Sequence, residues 1–555
     1  MYYLLSFFTI VLIEATIYLY GSKFLNLFIN KNISVNKTLY EGSKIFLGLF
    51  VLGNLIFVIN LFIPITPYIL IPLIFFIFTL ERKQIKHFFS NNFIVFISSS
   101  ILIFSIYTNN PSTDSYAYHF FNQSLINNSK FVIGISNFDM NYGILSIFEY
   151  LSSILWIENN YFFIQFLNIV LLAGFFNFIY LLFDSGNIKF KNISLILLVV
   201  GLLDNFGFEG GRNGFVFIQE IGKFDSSVAI LLTISFIYLM YIIDNRLNFQ
   251  HPEVLIFLYL ITFLIQVRSF YYTYLGIVLI YFLFNKTFKV TTKLIPFFIL
   301  NILWIVKSIF TNSCLIFPVQ FTCFTSLPWS FPNQAKFHSL VATTNNRNPN
   351  EHIIEVMNFE WVMSYWLKLN YSYLLNVLIT SFLIFIIFRF SRNSKGEIKN
   401  YLYWIILFVN ILTWFILYPN YRFISGSLII LYLIIVNKYL NENNFLTRTF
   451  NSKAKFFLLL FVCISLTPRI STYFNALENL NVNVIERFEI INIEYKDNPE
   501  SYGVKPVGTF CYNKFDCSNS KQVVELKSLF SYKAFIPKNL DMYIEGSIYY
   551  YEKNY

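Results

Sequence analysis

Charge is what this 555-residue sequence lacks most: Asp, Glu, Lys and Arg make up 13% of it, while 56% is hydrophobic. So few charges cannot coat a water-soluble fold of this length. Apolar runs recur instead, many reaching the ~17–25 residues that a helix needs to cross a bilayer. The chain therefore reads as an all-α polytopic membrane protein. Its opening segment, MYYLLSFFTIVLIEATIYLY, has no positive n-region and no small-residue cleavage site. It is therefore expected to be a first transmembrane helix rather than a removed signal peptide. Histidine and cysteine number five each, and no cluster of them has metal-ligand spacing. No metal is expected on this ground, and no other cofactor is indicated. Internal repeats and low-complexity linkers are also missing, which weighs against a transporter built from matching halves.

Aromatic residues are plentiful at 21%, but in so greasy a chain they read as lipid-facing or core filler. Asn-x-Ser/Thr triplets such as Asn36-Lys37-Thr38 arise by chance at this asparagine content. About 12–14 transmembrane helices are expected, on spans 3–20, 44–62, 66–80, 91–107, 160–183, 192–204, 226–243, 253–267, 269–285, 294–311, 372–389, 400–417, 423–437 and 456–468. Alternate connections between them hold very different charge. One class, from Lys23 and Lys37 through Arg82, Lys189 and Lys286 to Lys455, carries 21 of the 40 basic residues against seven acids. The other, before residue 469, carries nine against eleven. The positive-inside rule puts the first class in the cytoplasm. The net charge of +10 is then a topology signal and implies no nucleic-acid partner. Both termini are expected outside a multi-pass cell (inner) membrane protein, together with the loops 108–159, 205–225, 312–371 and 418–422.

Cysteine usage agrees with that sidedness. Cys463 lies inside an expected helix. Cys314/Cys323 and Cys511/Cys517 form two close pairs in segments assigned outside, where disulfides persist. Two local disulfides are expected. The region 469–555 changes character, with short alternating runs such as VNVIERFEIINIEY, and reads as a small α/β appendage outside the membrane domain 1–468.

The outer loops are longer than connectors require. In NNPSTDSYAYHFF, residues 109–121, a turn precedes a short helix expected over 114–127, capped by Ser112, Thr113 or Asp114 and lying along the interface. A second is expected around 144–157. Ionisable groups near membrane depth are functional candidates by default. Asp114 can take a proton from an incoming hydroxyl, with Tyr118 four residues on and on the same helical face, and with His119 pointing elsewhere. Arg268, Lys307 and Arg422 all sit at outer ends, where the positive-inside rule disfavours them. Three cations on that side point to an anionic ligand, phosphate first. The glycine-rich loop 205–225 adds Arg212, Glu220 and Asp225 as substrate-binding candidates, Asp225 having a helix cap as its simpler role. Glu14, alone in the first helix, has no evident role.

The order of these parts resembles the GT-C class of integral-membrane glycosyltransferases, and more closely an uncharacterised bacterial family of GT-C-like envelope proteins. The likeness is carried by DSYAYHFF with VIGISNFDMNYGILSIFEYLSSIL (132–155), KSIFTNSCLIFP (307–318), LPWSFP (327–332), YPNYRF (418–423) and CYNKFDC (511–517). It implies a polyprenyl-phosphate-linked sugar donor, a glycan or lipid acceptor, and Asp114 as general base. Arg268, Lys307 and Arg422 would hold the donor phosphate during one inverting step. Two departures stand out: Asp114 follows the fourth expected helix rather than the first, and it has no adjacent acid. Some GT-C enzymes need a divalent metal, for which this loop offers few carboxylates. A polysaccharide polymerase or ligase, and a lipid-linked sugar flippase, are the alternatives.

Overall fold

The computed structural model describes residues 2–27, 35–107, 115, 119–137, 140–144, 146–157, 160–205, 224–284, 292–331, 334–336, 338–339, 359–389, 401–417, 419–439 and 524–537. Over these the chain is an all-α polytopic membrane protein with a small two-stranded appendage. Five helices are long and apolar enough to cross a bilayer: Tyr2–Asn26, Lys37–Asn60, Phe163–Asp184, Asp225–Asp244 and Thr292–Asn312. Arg82–Asn91 and the apolar Phe93–Ile106 follow one another across a one-residue break and meet at 71°. Shorter apolar helices, among them Pro252–Val267 and Tyr401–Leu417, complete the bundle.

In chain order the helices are α1 (Tyr2–Asn26), α2 (Lys37–Asn60), α3 (Leu70–Leu80), α4 (Arg82–Asn91), α5 (Phe93–Ile106), α6 (Phe120–Asn128), α7 (Ile147–Ser153) and α8 (Phe166–Asp184). They continue as α9 (Ile188–Asn205), α10 (Asp225–Asp244), α11 (Pro252–Val267), α12 (Tyr272–Phe284), α13 (Ile295–Asn312), α14 (Leu367–Arg389), α15 (Tyr401–Leu417) and α16 (Ser425–Tyr439). The expected helix 456–468 lies outside the described residues.

Contacts sort the connections into two ends. At one, Lys23 pairs with Glu81 at 3.4 Å, Lys189 with Asp244, and the Asn36 N–H donates to Glu253 at 2.8 Å. This is the lysine end, and each pair joins segments expected on one side. At the other, the Phe131 N–H donates to the Asn60 carbonyl at 2.9 Å and the Gly134 N–H to that of Phe310 at 2.7 Å. The Cys314–Cys323 disulfide lies there, making it the disulfide end. Cys511 and Cys517 lie outside the described residues.

Small residues let α1 and α2 touch backbone to backbone. A Cβ on Gly48 would sit 1.8 Å from the Ile17 carbonyl oxygen, and one on Gly21 equally close to that of Lys44. In a membrane, where helix association rests on van der Waals packing, such contacts hold the pair. Gly48→Ala is expected to destabilise the folded protein by about 2 kcal/mol or more, because backbone cannot move aside as a side chain can. The check is the melting midpoint of the detergent-solubilised protein; an unchanged midpoint would refute it.

Near the C-terminus, β1 (Val524–Leu529) pairs antiparallel with β2 (Tyr532–Pro537). The turn residues Phe530 and Ser531 both have positive φ, 51° and 65°, as a two-residue hairpin requires. The hairpin docks at the disulfide end: the Phe535 N–H donates to the Ile133 carbonyl at 3.0 Å, and the Tyr532 hydroxyl to that of Leu61 at 2.8 Å.

The loop helices depart from expectation in detail. The α-helical part of the first begins at Phe120, preceded by Ser115 and His119 in π-helical conformation, and His119 makes no side-chain capping bond. Its polar residues Asn122, Gln123 and Ser124 are all buried, so it is covered rather than laid on an interface. Glu149 engages both His119 and Gln123. Residues 112–114 and 116–118 lie outside the described residues. The second helix, α7, starts at Ile147 and is capped by the Ser146 hydroxyl, which accepts from the Phe148 N–H at 3.2 Å.

Candidate functional site

The site is built around the seven residues from Gln266 to Tyr272, between α11 and α12. Arg268 ends α11 with an extended backbone, φ −145°. Arg268 and Tyr271 therefore face one side of this segment, and Gln266, Ser269 and Tyr272 the other.

On the first side lies a half-open cavity of about 80 Å³. The Arg268 guanidinium pairs with Asp225 and stacks over the Phe423 ring, 4.6 Å from its centre. Asp225 belongs to the first turn of α10, where a carboxylate suits the helix dipole. Phe224 takes the N-cap position, so Asp225 is a charge partner and not a cap. Across the cavity, Asn410, Thr413 and Trp414 share one face of α15. Asn410 is 3% exposed, and its amide nitrogen has no hydrogen-bond partner among the described residues. A buried N–H2 left this way calls for an acceptor. The turn supplying Phe423 is fixed by two indoles: Trp366 donates to the Pro419 carbonyl, and Trp414 to that of Asn420 at 2.7 Å.

On the second side a smaller cavity, about 30 Å³, is bordered by Gln266, Ser269, Lys307 and Thr311. Lys307 does not snorkel to a surface. It is 5% exposed, with its ammonium 3.9 Å from the Trp304 ring centre. The carboxylate whose charge acts on it is Glu149 of α7. Glu149 Oε1 is 2.5 Å from His119 Nδ1, and Oε2 accepts from Gln123 at 3.2 Å. The His119 ring meets Phe224 edge-on at 5.6 Å, beside Asp225. Gln266 is locked to Asn54 of α2 by reciprocal amide bonds of 2.8 and 2.9 Å.

His119, Asp225, Arg268 and Lys307 are thus gathered at the disulfide end. Asp114, Tyr118, Arg212 and Glu220 lie outside the described residues, as does the Arg422 side chain. Arg422 itself sits in the Tyr421–Phe423 turn, next to the ring under Arg268. Among the described residues no group of three or more His, Cys, Asp or Glu could hold a metal ion.

Residues 1–429 match the family described as a domain of unknown function, DUF8201. The chain belongs to this family. No curated protein and no solved structure matches it. The DUF8201 region contains both cavities and ends within α16, while the docked hairpin lies beyond it.

Glu149 and Asn410 of the DUF8201 region were not singled out from sequence. Each is a lone polar residue in an apolar stretch, IFEYL and FVNIL, and that isolation was the available signal. Glu14 proves to be of the same kind: buried in α1, it accepts from the Ser99 hydroxyl of α5.

The disulfide loop covers the smaller cavity, with Leu315 and Phe317 on its border. Ser269 Oγ donates to the Phe317 carbonyl at 3.3 Å. Behind Phe317, His338 is buried with its ring 5.1 Å away, and burial pushes its pKa down to about 4. The folded loop holds this imidazole neutral, whereas an unfolded one titrates near ~6.5. Its contribution is complete above that value and falls away as pH drops from about 6.5 towards 4, by up to about 3 kcal/mol. Hydrogen exchange of the 313–331 amides is expected to accelerate over that window, beyond the intrinsic pH trend, and His338→Phe is expected to remove the excess. An excess that persists in the variant would rule the histidine out.

Proposed function

We propose that this protein is a membrane glycosyltransferase that moves a sugar from a polyprenyl-phosphate-linked donor to an envelope glycan or lipid acceptor. The observation that supports it most is the half-open cavity where the Arg268 guanidinium and the unpartnered Asn410 amide face common space. A phosphate suits such donors: the guanidinium bonds it through a planar fork, and a buried amide N–H completes the set. Asp225 and Phe423 hold the guanidinium in place, so it need not reorganise as charge develops. Lys307, on the other face of the same segment, adds positive potential.

In the proposed step an acceptor hydroxyl oxygen attacks the anomeric carbon. The bond from that carbon to the phosphate oxygen breaks, and the polyprenyl phosphate leaves with the electron pair. The hydroxyl proton passes to a carboxylate, for which the resemblance to GT-C enzymes nominates Asp114. The disulfide end would face outward, in keeping with its disulfide and its poverty in lysine.

The test is the envelope glycan profile of cells lacking the protein, complemented with wild type or with Asp114→Asn at matched membrane levels. Wild type alone is expected to restore the missing glycan. Full restoration by Asp114→Asn would remove that residue as base, and an unaltered profile in the deletion would remove the transferase reading.

A further inference from the structure

The largest of the described cavities is not at this site. About 410 Å³ in volume, it lies at the lysine end between the first turn of α2, the last turn of α8 and the α4–α5 break. It is set in a built polar network. The Lys44 ammonium, 2% exposed, donates to Glu41 at 2.8 Å and to the Tyr18 hydroxyl at 3.0 Å. Tyr18 in turn donates to Glu41 at 3.2 Å and lies 2.9 Å from His87 Nδ1. His87 Nε2 is 2.8 Å from the Asn91 amide. These bonds fix the wall without filling the cavity.

Three features define what would fill it. The first is depth. α4 carries Arg82, Lys83 and Lys86 and turns by 71° from the apolar α5. A charged helix set at that angle to a membrane helix marks the interface, so a cavity at the break lies at headgroup level. The second is charge of both signs. Lys37 and Thr38 border the cavity at the N-terminus of α2, and Asp184 borders it at the end of α8. The third is an apolar margin of Phe93, Ile94 and Leu181, at which Phe93 of α5 is 57% exposed.

We propose that this cavity binds the headgroup of a zwitterionic phospholipid bearing a primary ammonium, of the phosphoethanolamine type. The phosphate lies against Lys37 and Thr38, where the helix dipole adds to the lysine charge. The ammonium lies against Asp184 and the free edge of Glu41, since a primary ammonium donates three hydrogen bonds to such acceptors. A purely anionic headgroup would meet two carboxylates, and a quaternary ammonium could donate to neither. The acyl chains continue along the apolar margin. This assignment does not depend on the transferase reading.

The test uses native mass spectrometry of the full-length protein, delipidated and offered phosphatidylethanolamine, phosphatidylcholine or phosphatidylglycerol with identical acyl chains. Phosphatidylethanolamine is expected to be retained about fivefold more than either, the scale of one favourable exposed charge pair. Asp184→Asn and Lys37→Ala, both at exposed positions, are each expected to erase that preference with the melting midpoint kept, while Arg268→Ala keeps the preference. Equal retention of the three lipids overturns the proposal, as does an undiminished preference in both variants. Soluble O-phosphoethanolamine is expected not to raise the melting midpoint, and a rise equal to that given by the lipid overturns the lipid assignment.

Discussion

Arg268→Ala is expected to lower glycan transfer about 10²- to 10³-fold, the scale seen when one pre-organised charge-stabilising group is removed from a reacting centre. The size follows from its surroundings. The guanidinium is held by Asp225 on one side and by the Phe423 ring beneath it. Its free N–H groups are therefore aimed before any ligand arrives. Arg268→Lys is expected to recover little, because an ammonium has no plane to stack and no fork to share between Asp225 and a phosphate. Arg268→Ala also removes the Arg268 charge from beside Asp225, itself buried, which is destabilising in its own right. The double variant Arg268→Ala/Asp225→Asn separates the two effects: it should regain the wild-type melting midpoint and remain inactive. Wild-type glycan levels from Arg268→Ala at matched expression would eliminate the phosphate-clamp role.

The second large effect concerns stability. Glu149→Ala is expected to destabilise the protein by about 3 kcal/mol, the scale of taking an acceptor from two buried polar side chains. Glu149 is 2% exposed, binds His119 and Gln123, and is the acid whose charge acts on Lys307. Removing it takes a negative charge from the neighbourhood of Lys307 and an acceptor from two buried side chains at once. Glu149→Gln keeps an acceptor oxygen and should lose less. The combination Glu149→Gln/Lys307→Met removes both charges at nearly constant volume and should recover most of the midpoint, since a buried pair is often replaceable by apolar packing. Because Lys307 borders the smaller cavity, the recovered variant is still expected to lack transfer activity. A Glu149→Ala protein that melts with wild type would show that the buried charges are satisfied without it.

Two kinds of information separate in this chain. Depth was legible from the residues alone. Arg268, Lys307 and Asp225 stand at helix ends or beside them because charge is excluded from hydrocarbon, and the lysines gather at one end because loop charge controls insertion. The 314/323 cysteine pair was legible too, because nine residues of separation keep the two thiols close. Partnership was not. Asp225 reaches Arg268 across 43 residues and Glu149 reaches His119 across 30, and no local period encodes such distances. Asn410 looked like any polar residue tolerated in a membrane helix until α15 turned its face to the Arg268 cavity. The sequence by itself determined which groups lie at which end of the helix bundle, since transfer free energy acts on each segment separately. Tertiary packing alone decided which of them share a cavity, since that depends on how α7, α10, α11, α13 and α15 rotate about their axes to bury one another.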